Sequence, residues 1–449
     1  MSRNPMDLTN GAPLKQITLF SLPLILGTLF QQLYSFADTV MVGRLIGDSA
    51  LAAVGTTWSL NFMTLGFVQG SCVGFCIPLA QTIGSKEPDE FKRYFWNGVW
   101  LCCGMGLVLT AAMVFLAEPL LRLINTPADI LADAAIYIRI IFLGIPASIL
   151  YNFCAGVLRA SGDSRRPTNF LLLSSLLNIA LDYLLIGIIP MGVAGAALAT
   201  VISQLVSGVL NLYWLFCKTE LLNQSSGLRK FSTAYVEKLC RVGFPMGFDH
   251  SVSAMGAVIM QSAINALGTV AVAAQATGEK IRSVFTTPME SVGMGVATYA
   301  GQNEGAKRYD RIRDGIFAGL TIQWTYCAVS WVVIFFGKGA FVRFVLGPEV
   351  GKSAELAIRY LAIISTLFCI HGSLMILRNT LQGMGYSLYA VLSGGAELLG
   401  RAIGAVLTLR LLGFTGVCFA NPMAWSCGLI YCTILVLRLL GKRLRTQCV

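Results

Sequence analysis

The sequence predicts an all-α membrane protein in which twelve transmembrane helices form two parallel six-helix repeats. Of its 449 residues, 55% are hydrophobic and only 12% are charged, whereas soluble domains carry about 25% charged residues. The mean hydropathy of +0.70 reflects apolar runs of roughly 20 residues, the length that crosses a bilayer. Short motifs also return at one nearly constant separation, close to half the length of the chain, which indicates that one unit occurs twice.

The twelve predicted spans follow one another with short connections. They are 17–42, 51–82, 94–117, 134–156, 168–189, 193–217, 240–266, 271–301, 315–337, 354–377, 386–410 and 414–440. The first run is too long for a signal-peptide core and lacks a cleavage pattern, so we expect it to be retained. Lysine and arginine are concentrated in every second connection, beginning with the N-terminus, which predicts that both termini are cytoplasmic. This orientation accounts for the net charge of +11 without a nucleic-acid partner.

The internal repeat is visible in four separated pairs of segments. These pairs are 80–86 with 301–307, 191–195 with 412–416, Pro23 with Pro245, and 158–162 with 381–385. Because six is an even number of spans, both copies insert in the same orientation, as is common in secondary transporters. We therefore predict an N-terminal lobe at 1–217, a cytoplasmic linker at 218–239 and a C-terminal lobe at 240–449. Pro23 and Pro245 are candidate hinges, although proline is also common in static membrane helices.

Several classes of function are disfavoured by the motifs. The chain has no GxxxxGK[ST] pattern, so ATP is not expected to be the direct energy source. Two histidines without metal-ligand spacing give no catalytic constellation, so we expect neither an enzyme nor a bound cofactor or metal beyond a coupling ion. The 13 cysteines, most of them inside apolar runs, are interpreted as packing residues. A duplicated helical bundle without transport activity is the simpler alternative to a carrier.

Polar residues of the first half fall at one depth of the predicted membrane. Asn178 and Asp182 are four residues apart and share one face of span 5. At about 1.5 Å per residue, Asp182 lies roughly 12 Å, Asp38 roughly 9 Å and Thr200 roughly 10 Å below the outer ends of their spans. Their oxygens could hold Na⁺, since hard cations take oxygen ligands, or Asp38 could carry a proton. The simpler alternative is that both aspartates form hydrogen bonds between helices.

The second half carries a different set of polar residues in its spans. The candidates for a substrate cavity are Asp249, His250, Glu279, Arg282, Glu290, His371, Arg378, Glu397 and Arg401. The spacing of Glu279 to Arg282 and of Glu397 to Arg401 also suits local ion pairs on a helix. Neither Asp38 nor Asp182 has an acidic counterpart at the repeat-related position, so the scaffold repeats while the predicted cation site does not.

Several segments of the sequence resemble those of one transporter family, multidrug and toxic compound extrusion (MATE), and within it the DinF-like branch. The resemblance rests on Pro23 through Thr39 with 52–55, Leu158 through Asp163 with Arg166 and Pro167, Asn178 through Tyr183, Gly192 through Thr200, and Gly301 through Asn303. It implies two lobes in a V-shaped arrangement. It also implies a cation or proton site at Asp38, Asn178, Asp182 and Thr200, with Tyr34 beside it.

Similarity to this family implies a secondary active antiporter that exports organic, often cationic and amphipathic, compounds in exchange for H⁺ or Na⁺. The alternative is a flippase, or an exporter of a lipid-linked or polar metabolite, because such proteins look similar at the level of the superfamily. The expected partners are a small-molecule substrate and membrane lipid. We expect a monomer in a bacterial inner membrane, and the sequence leaves the substrate and the coupled ion open.

Overall fold

The computed structural model is α-helical throughout the part of the chain that it describes, residues 6–222, 228–347, 351–407 and 411–447. The helices are α1 (Pro13–Leu45), α2 (Asp48–Ser85), α3 (Pro88–Leu123), α4 (Leu131–Leu143), α5 (Ile145–Ala160), α6 (Arg165–Asp182), α7 (Val193–Cys217), α8 (Thr233–Asn265), α9 (Thr269–Gly305), α10 (Tyr309–Leu346), α11 (Lys352–Thr366), α12 (Phe368–Gly383), α13 (Ser387–Leu407) and α14 (Phe414–Gln447). A π-helical segment, Tyr183–Ile188, continues α6. No strand occurs within the described ranges.

Most of these helices are long and apolar enough to cross a membrane. Eight meet that description by length and composition, and two bent pairs, α4 with α5 and α11 with α12, raise the number to ten within the described ranges. The other two long helices, α8 and α9, have 33 and 37 residues and carry more polar side chains. The prediction of an all-α membrane fold is therefore confirmed, with ten spans supported by apolar composition and two by length.

The backbone repeats with the same separations as the sequence. Five pairs of residues with left-handed φ are Gly47 with Gly268, Lys86 with Lys307, Asn125 with Gly347, Gly162 with Gly385, and Gly192 with Gly413. Each pair lies between helices, where a left-handed residue ends one helix before the next begins. The bends correspond as well. Helices α4 and α5 meet at 42° around Gly144, and α11 and α12 meet at 50° around Leu367.

The helices group into two compact units, and two of the helices, α1 and α8, have one part in each unit. Unit 1 comprises the residues up to Asp7 and Leu26–His250, and unit 2 comprises Leu8–Ile25 and Ser251–Val449. The first half of α1 thus belongs to unit 2, and the first half of α8 belongs to unit 1. The two repeat-related prolines, Pro23 in α1 and Pro245 in α8, each lie within two turns of the residue at which the helix passes from one unit to the other.

The segment that leads into α1 is held on unit 2 by a buried arginine. Arg311 of α10 donates hydrogen bonds to the carbonyl oxygens of Gly11 at 2.9 Å and Leu8 at 3.3 Å. It also donates to Oε1 of Gln16 and Oδ1 of Asn303, both at 3.1 Å. Because the Leu8 side chain is fully buried, residues Leu8–Gln16 are an integral part of unit 2.

The segment that leads into α8 is held on unit 1 in a corresponding way. The hydroxyl of Tyr235 donates to Oε1 of Glu90 at 2.8 Å, and the N–H of Ser232 donates to Oδ1 of Asn97 at 2.8 Å. Glu90 of α3 and Arg311 of α10 are counterparts in the repeat, at the same separation as Lys86 and Lys307. The same position of each copy therefore fixes the segment that precedes a first helix, with opposite charge in the two copies.

Close packing of α8 on α2 within unit 1 depends on glycine. A Cβ on Gly243 would overlap the ring of Phe75 and lie 2.9 Å from the carbonyl oxygen of Ser71. On the facing helix, a Cβ on Gly74 would lie 2.5 Å from the Cα of Gly243. Small residues at such contacts let membrane helices approach closely, because packing rather than the hydrophobic effect drives their association.

Candidate functional site

The predicted residues of the first half meet in unit 1 at the end of α6. Asn178 and Asp182 lie one turn apart on this helix, and both are buried, with exposed fractions of 2% and 0%. The helix begins where Oδ1 of Asp163 accepts the N–H groups of Arg165 and Arg166 at 3.1 and 3.0 Å. Its first turn is thereby fixed, and the two polar side chains follow at helical spacing on the buried face.

A wide helical turn follows Asp182 directly. The segment Tyr183–Ile188 is π-helical, a geometry that is rare and often found at functional sites. Between Gly162 and Gly192 the first copy has two residues more than the second copy has between Gly385 and Gly413. In the second copy, Leu411 and Leu412, which precede Gly413, are π-helical as well, so a wide turn at this place is common to both copies.

The two predicted aspartates lie next to each other. The carboxyl groups of Asp38 on α1 and Asp182 on α6 lie close enough to influence each other electrostatically. Both oxygens of Asp182, Oδ1 of Asp38 and both polar atoms of the Asn178 amide are buried without a hydrogen-bond partner among the described residues. Each buried unsatisfied polar atom costs roughly 1–3 kcal/mol, and adjacent carboxylates repel each other. The arrangement therefore favours a bound proton or cation.

A small cavity adjoins Asn178, whereas neither Asp38 nor Asp182 is part of its lining. It measures about 20 Å³, and a cavity needs roughly 10–15 Å³ to hold one water-sized occupant. Its lining includes Tyr34, Asn178 and Thr200, and the remaining lining residues are Gln31, Tyr151, Leu171, Ser174, Ser175, Ser203, Gln204 and Ser207. The Thr200 hydroxyl donates to the carbonyl oxygen of Ala196 at 3.1 Å, which leaves its oxygen able to accept. The cavity suits one ion or water and is too small for an organic compound.

Two tyrosines stand beside the paired carboxyl groups. Tyr34 and Tyr137 both interact electrostatically with Asp38 and Asp182. Tyr137, on α4, is a residue that the sequence analysis missed, because a single tyrosine in an apolar span carries no motif. The available signal was the repeat, since the counterpart of Tyr137 in the second copy is also a tyrosine, Tyr360.

The oxygen-rich composition of this site limits what it can hold. Within the described ranges, no group of three or more His, Cys, Asp or Glu side chains is arranged to hold a metal ion. Two carboxylates with amide and hydroxyl oxygens fit a hard cation or a proton, whereas transition metals prefer nitrogen and sulfur ligands.

A second polar cavity, of about 290 Å³, lies in unit 2. Of the predicted substrate residues, Glu279, Arg282 and Arg401 line it, and the other lining residues are Met260, Gln261, Ile264, Gln275, Tyr360, Val417, Ala420 and Asn421. Glu279 accepts hydrogen bonds from Nε and Nη2 of Arg282 at 2.8 and 2.5 Å. The ion pair expected from the spacing is therefore present, and both of its members also face the cavity.

The other expected ion pair belongs to a network of three charges. Glu397 of α13 contacts Nη2 of Arg378 through Oε1, and it contacts Nη2 of Arg401 through Oε2 at 3.6 Å. Nε of Arg378 also donates to Oγ of Ser393 at 2.9 Å. One carboxylate thus faces two guanidinium groups, which leaves this network with an excess positive charge.

The remaining candidates occupy different surroundings. His371 is buried with its ring centroid 4.7 Å from that of Trp425, and neither ring nitrogen has a hydrogen-bond partner among the described residues. Glu290 is exposed and interacts electrostatically with arginines of unit 2. Asp249 is half-buried and belongs to unit 1, apart from the other members of its predicted set. The side chain of His250 lies outside the described part of the structure.

Two copies of a six-helix membrane unit inserted in the same orientation are an architecture common among membrane transporters. A family model described as MatE matches the chain twice, over residues 23–184 and 245–406. The two matches begin at the repeat-related prolines, Pro23 and Pro245, so each covers one copy of the repeat. The chain belongs to the MatE family, and it is a multi-pass membrane transporter.

Known proteins similar to this chain agree with that assignment. The protein named "Probable multidrug resistance protein YpnP" from Bacillus subtilis is 31% identical over 360 residues, which cover 79% of this chain and 80% of the relative. A protein named "FAD transporter" from Shewanella oneidensis is 26% identical over 346 residues, covering 76% of each chain. A solved structure titled as the outward-facing conformation of a multidrug resistance MATE family transporter has a TM-score of 0.91 at 21% identity, covering 99% of this chain and 100% of that one.

Proposed function

We propose that the protein is an efflux antiporter that exports organic, cationic and amphipathic compounds in exchange for H⁺ or Na⁺. The observation that carries this proposal is the buried pair Asp38 and Asp182, whose carboxyl groups influence each other. Asn178, one turn from Asp182, lines a cavity of about 20 Å³. The name of the B. subtilis relative supports multidrug export. The small-molecule substrate, rather than a bound cofactor, is then the main partner.

The coupling mechanism follows from the chemistry of the paired carboxyl groups. A proton or Na⁺ at Asp38 and Asp182 relieves their mutual repulsion, and the oxygens of Asn178 and Thr200 complete its environment. If the cation and the substrate prefer different conformations of the transporter, binding of one shifts the population against the other. An inward gradient of the cation then drives the substrate outward. Tyr34 of α1 lines the small cavity and interacts electrostatically with both aspartates.

Several finer features belong to this proposal. The acidic site of the first half favours the DinF-like branch. The lobes are proposed to span 1–217 and 240–449 and to be joined by the linker 218–239. The positive-inside rule favours cytoplasmic termini, and the short connections suit a bacterial inner membrane. A single copy of the chain contains both polar cavities, which favours a monomer surrounded by lipid.

The proposal is tested by dye efflux from proteoliposomes under separately imposed Na⁺ and H⁺ gradients. We expect wild-type protein to move a cationic dye under one gradient, and Asp38→Asn to lose that gradient-driven flux. Asp129→Asn is the matched control, because this exposed aspartate lies in the connection between α3 and α4. Retention of full coupling by Asp38→Asn would show that the site assignment is wrong.

The alternative function is export of a polar or lipid-linked metabolite, or a flippase activity. Three arginines in unit 2, namely Arg282, Arg378 and Arg401, favour it because they could meet phosphate groups. The relative named as an FAD transporter gives the same indication. If wild-type proteoliposomes move no cationic dye under either gradient but release entrapped FAD, the metabolite exporter replaces the multidrug transporter.

A further inference from the structure

The cavity of unit 2 occupies the position that corresponds, by the internal repeat, to the cation site of unit 1. Arg401 is the counterpart of Asn178, and Tyr360 is the counterpart of Tyr137. The other corresponding pairs are Thr200 with Asn421, Asp182 with Ala405, and Asp38 with the adjacent residues Met260 and Gln261. The separations match those of the left-handed residues between the helices. The cavity of unit 2 thus lies at the place where unit 1 has Asp38, Tyr137, Asn178 and Thr200.

Substitutions between the two copies reverse the hydrogen-bonding character of the site. In unit 1, Asp38 and Asp182 supply carboxylate oxygens, which are acceptors. In unit 2 neither carboxylate is kept, and the position of Asn178 is taken by Arg401, whose guanidinium group carries five N–H donors and no acceptor. Gln261, which lines the same cavity, adds an amide. A site with surplus acceptors has become a site with surplus donors.

The one carboxylate in the lining of the second cavity does not restore the balance. Glu279 already accepts from Arg282, from the Tyr360 hydroxyl at 2.5 Å and from Nδ2 of Asn421 at 2.8 Å. Its oxygens are therefore engaged by three neighbouring side chains from α9, α11 and α14. The lining contains two guanidinium groups and one carboxylate. Each guanidinium group also faces a carboxylate, Arg282 with Glu279 and Arg401 with Glu397, so the surplus is one of N–H donors rather than of charge.

The backbone around Arg401 is shaped to hold that side chain. A Cβ on Gly256 of α8 would lie 2.8 Å from Cδ and 3.2 Å from Cζ of Arg401, so the absence of a side chain at Gly256 makes room for the arginine. Glu397 lies 3.6 Å from Nη2 of Arg401, which is long for a charge-assisted hydrogen bond, and it is held more closely by Arg378. Packing against α8 and the long contact with Glu397 together place the Arg401 guanidinium group at the cavity.

We propose that the cavity of unit 2 binds an oxyanion, a carboxylate or phosphate group, of the exported compound, and that Arg401 is the residue that recognises it. The inference rests on the proposed function, because it names the chemistry of the substrate of the same transporter. It extends the substrate class from plain cations to amphiphiles that carry an acidic group as well. At about 290 Å³, the cavity holds such a group together with part of its aromatic or alkyl support.

The test compares two dyes that differ only in the acidic group. Rhodamine B carries a free carboxylate, and rhodamine B ethyl ester has the same cationic ring system without it. Binding to the full-length protein in nanodiscs of phosphatidylcholine is measured by fluorescence anisotropy for wild type, Arg401→Gln and Arg401→Lys. Arg122→Gln is the control for loss of one positive charge, since Arg122 is 66% exposed and pairs with Glu118 on the surface.

We expect Arg401→Gln to weaken rhodamine B binding by about tenfold or more, the equivalent of one charge-assisted hydrogen bond, and to leave the ester unchanged. Arg401→Lys keeps the charge and is expected to recover part of the loss. Arg378 still neutralises Glu397 in both variants, so the fold should persist, which thermal melting checks. Equal binding of rhodamine B to wild type and Arg401→Gln would overturn the inference.

Three further outcomes separate the sources of the oxyanion and the two proposals. If phosphatidylglycerol in the nanodisc displaces rhodamine B from the wild-type protein but does not displace the ethyl ester, the cavity is an oxyanion site and a lipid headgroup occupies it. If the ester is transported under an ion gradient while neither dye depends on Arg401, the inference fails and the efflux function stands. If neither dye binds or moves, both proposals are overturned.

Discussion

Replacement of Arg311 by methionine is expected to release the segment Leu8–Gln16 from unit 2. The arginine is 9% exposed and donates four hydrogen bonds to this segment and to α9. Methionine keeps the apolar stem but has no donor, so four acceptors lose a partner. At about 1 kcal/mol for each net hydrogen bond, the free energy of unfolding should fall by roughly 4 kcal/mol. For a body of about 200 residues, that corresponds to a fall in Tm of roughly 8–16 °C.

The assay is thermal melting of the purified protein in detergent, combined with limited proteolysis of the N-terminus. Arg313→Met is the matched control, since Arg313 is exposed and its ion pair is with Asp314, at 3.4 Å, a surface pair worth about 1 kcal/mol or less. Arg311→Met should melt earlier and be cleaved faster within residues 8–16, whereas Arg313→Met should behave as wild type. Equal Tm values for the two variants would refute the assignment of Arg311 as the anchor of this segment.

Two other predictions concern helix packing and bending. Gly243→Leu should lower Tm because any side chain there overlaps Phe75, at a cost of roughly 1–3 kcal/mol or more. Gly104→Leu is the control and should not lower Tm, because Gly104 lies on an open face of α3. Similar melting of the two variants would contradict the packing argument. Pro23→Ala should restore a backbone hydrogen bond in α1 and stiffen it, so maximal efflux rate should fall while equilibrium dye binding is kept. An unchanged maximal rate would remove Pro23 from the set of hinges.

The sequence was sufficient to bring together the main residues of the first site. Helical spacing put Asn178 and Asp182 on one face, and the distance from each span end put Asp38 at the same depth, because rise per residue is nearly constant in a helix. In the structure, the carboxyl groups of Asp38 and Asp182 lie close together in unit 1, and Asn178 is one turn from Asp182. Their role in coupling stays a prediction until the Asp38→Asn measurement is made.

Other parts of the site could not be read from local pattern. The π-helical turn after Asp182 depends on how the end of α6 is joined to the next helix, which hydropathy does not report. Tyr137 is one tyrosine in an apolar span, and its relation to Asp38 arises only from tertiary packing, in which α4 lies against α2, α3 and α7. The division of α1 and α8 between units has the same cause, since the partners of a helix are set by tertiary contacts and not by its own sequence.

The two cavities together lead to an expectation that neither gives alone. The two sites lie at repeat-related positions of the backbone, so their opposite chemistry comes from side chains. The acceptors around Asp182 and the donors around Arg401 can therefore be changed separately. Because each lies inside its own unit and they have no residue in common, the effects of substitutions in the two should be close to additive on binding. Asp38→Asn should therefore abolish ion coupling but preserve the preference for rhodamine B over its ester. Arg401→Gln should do the reverse, and a variant that lost both properties at once would show that a single site serves the ion and the substrate.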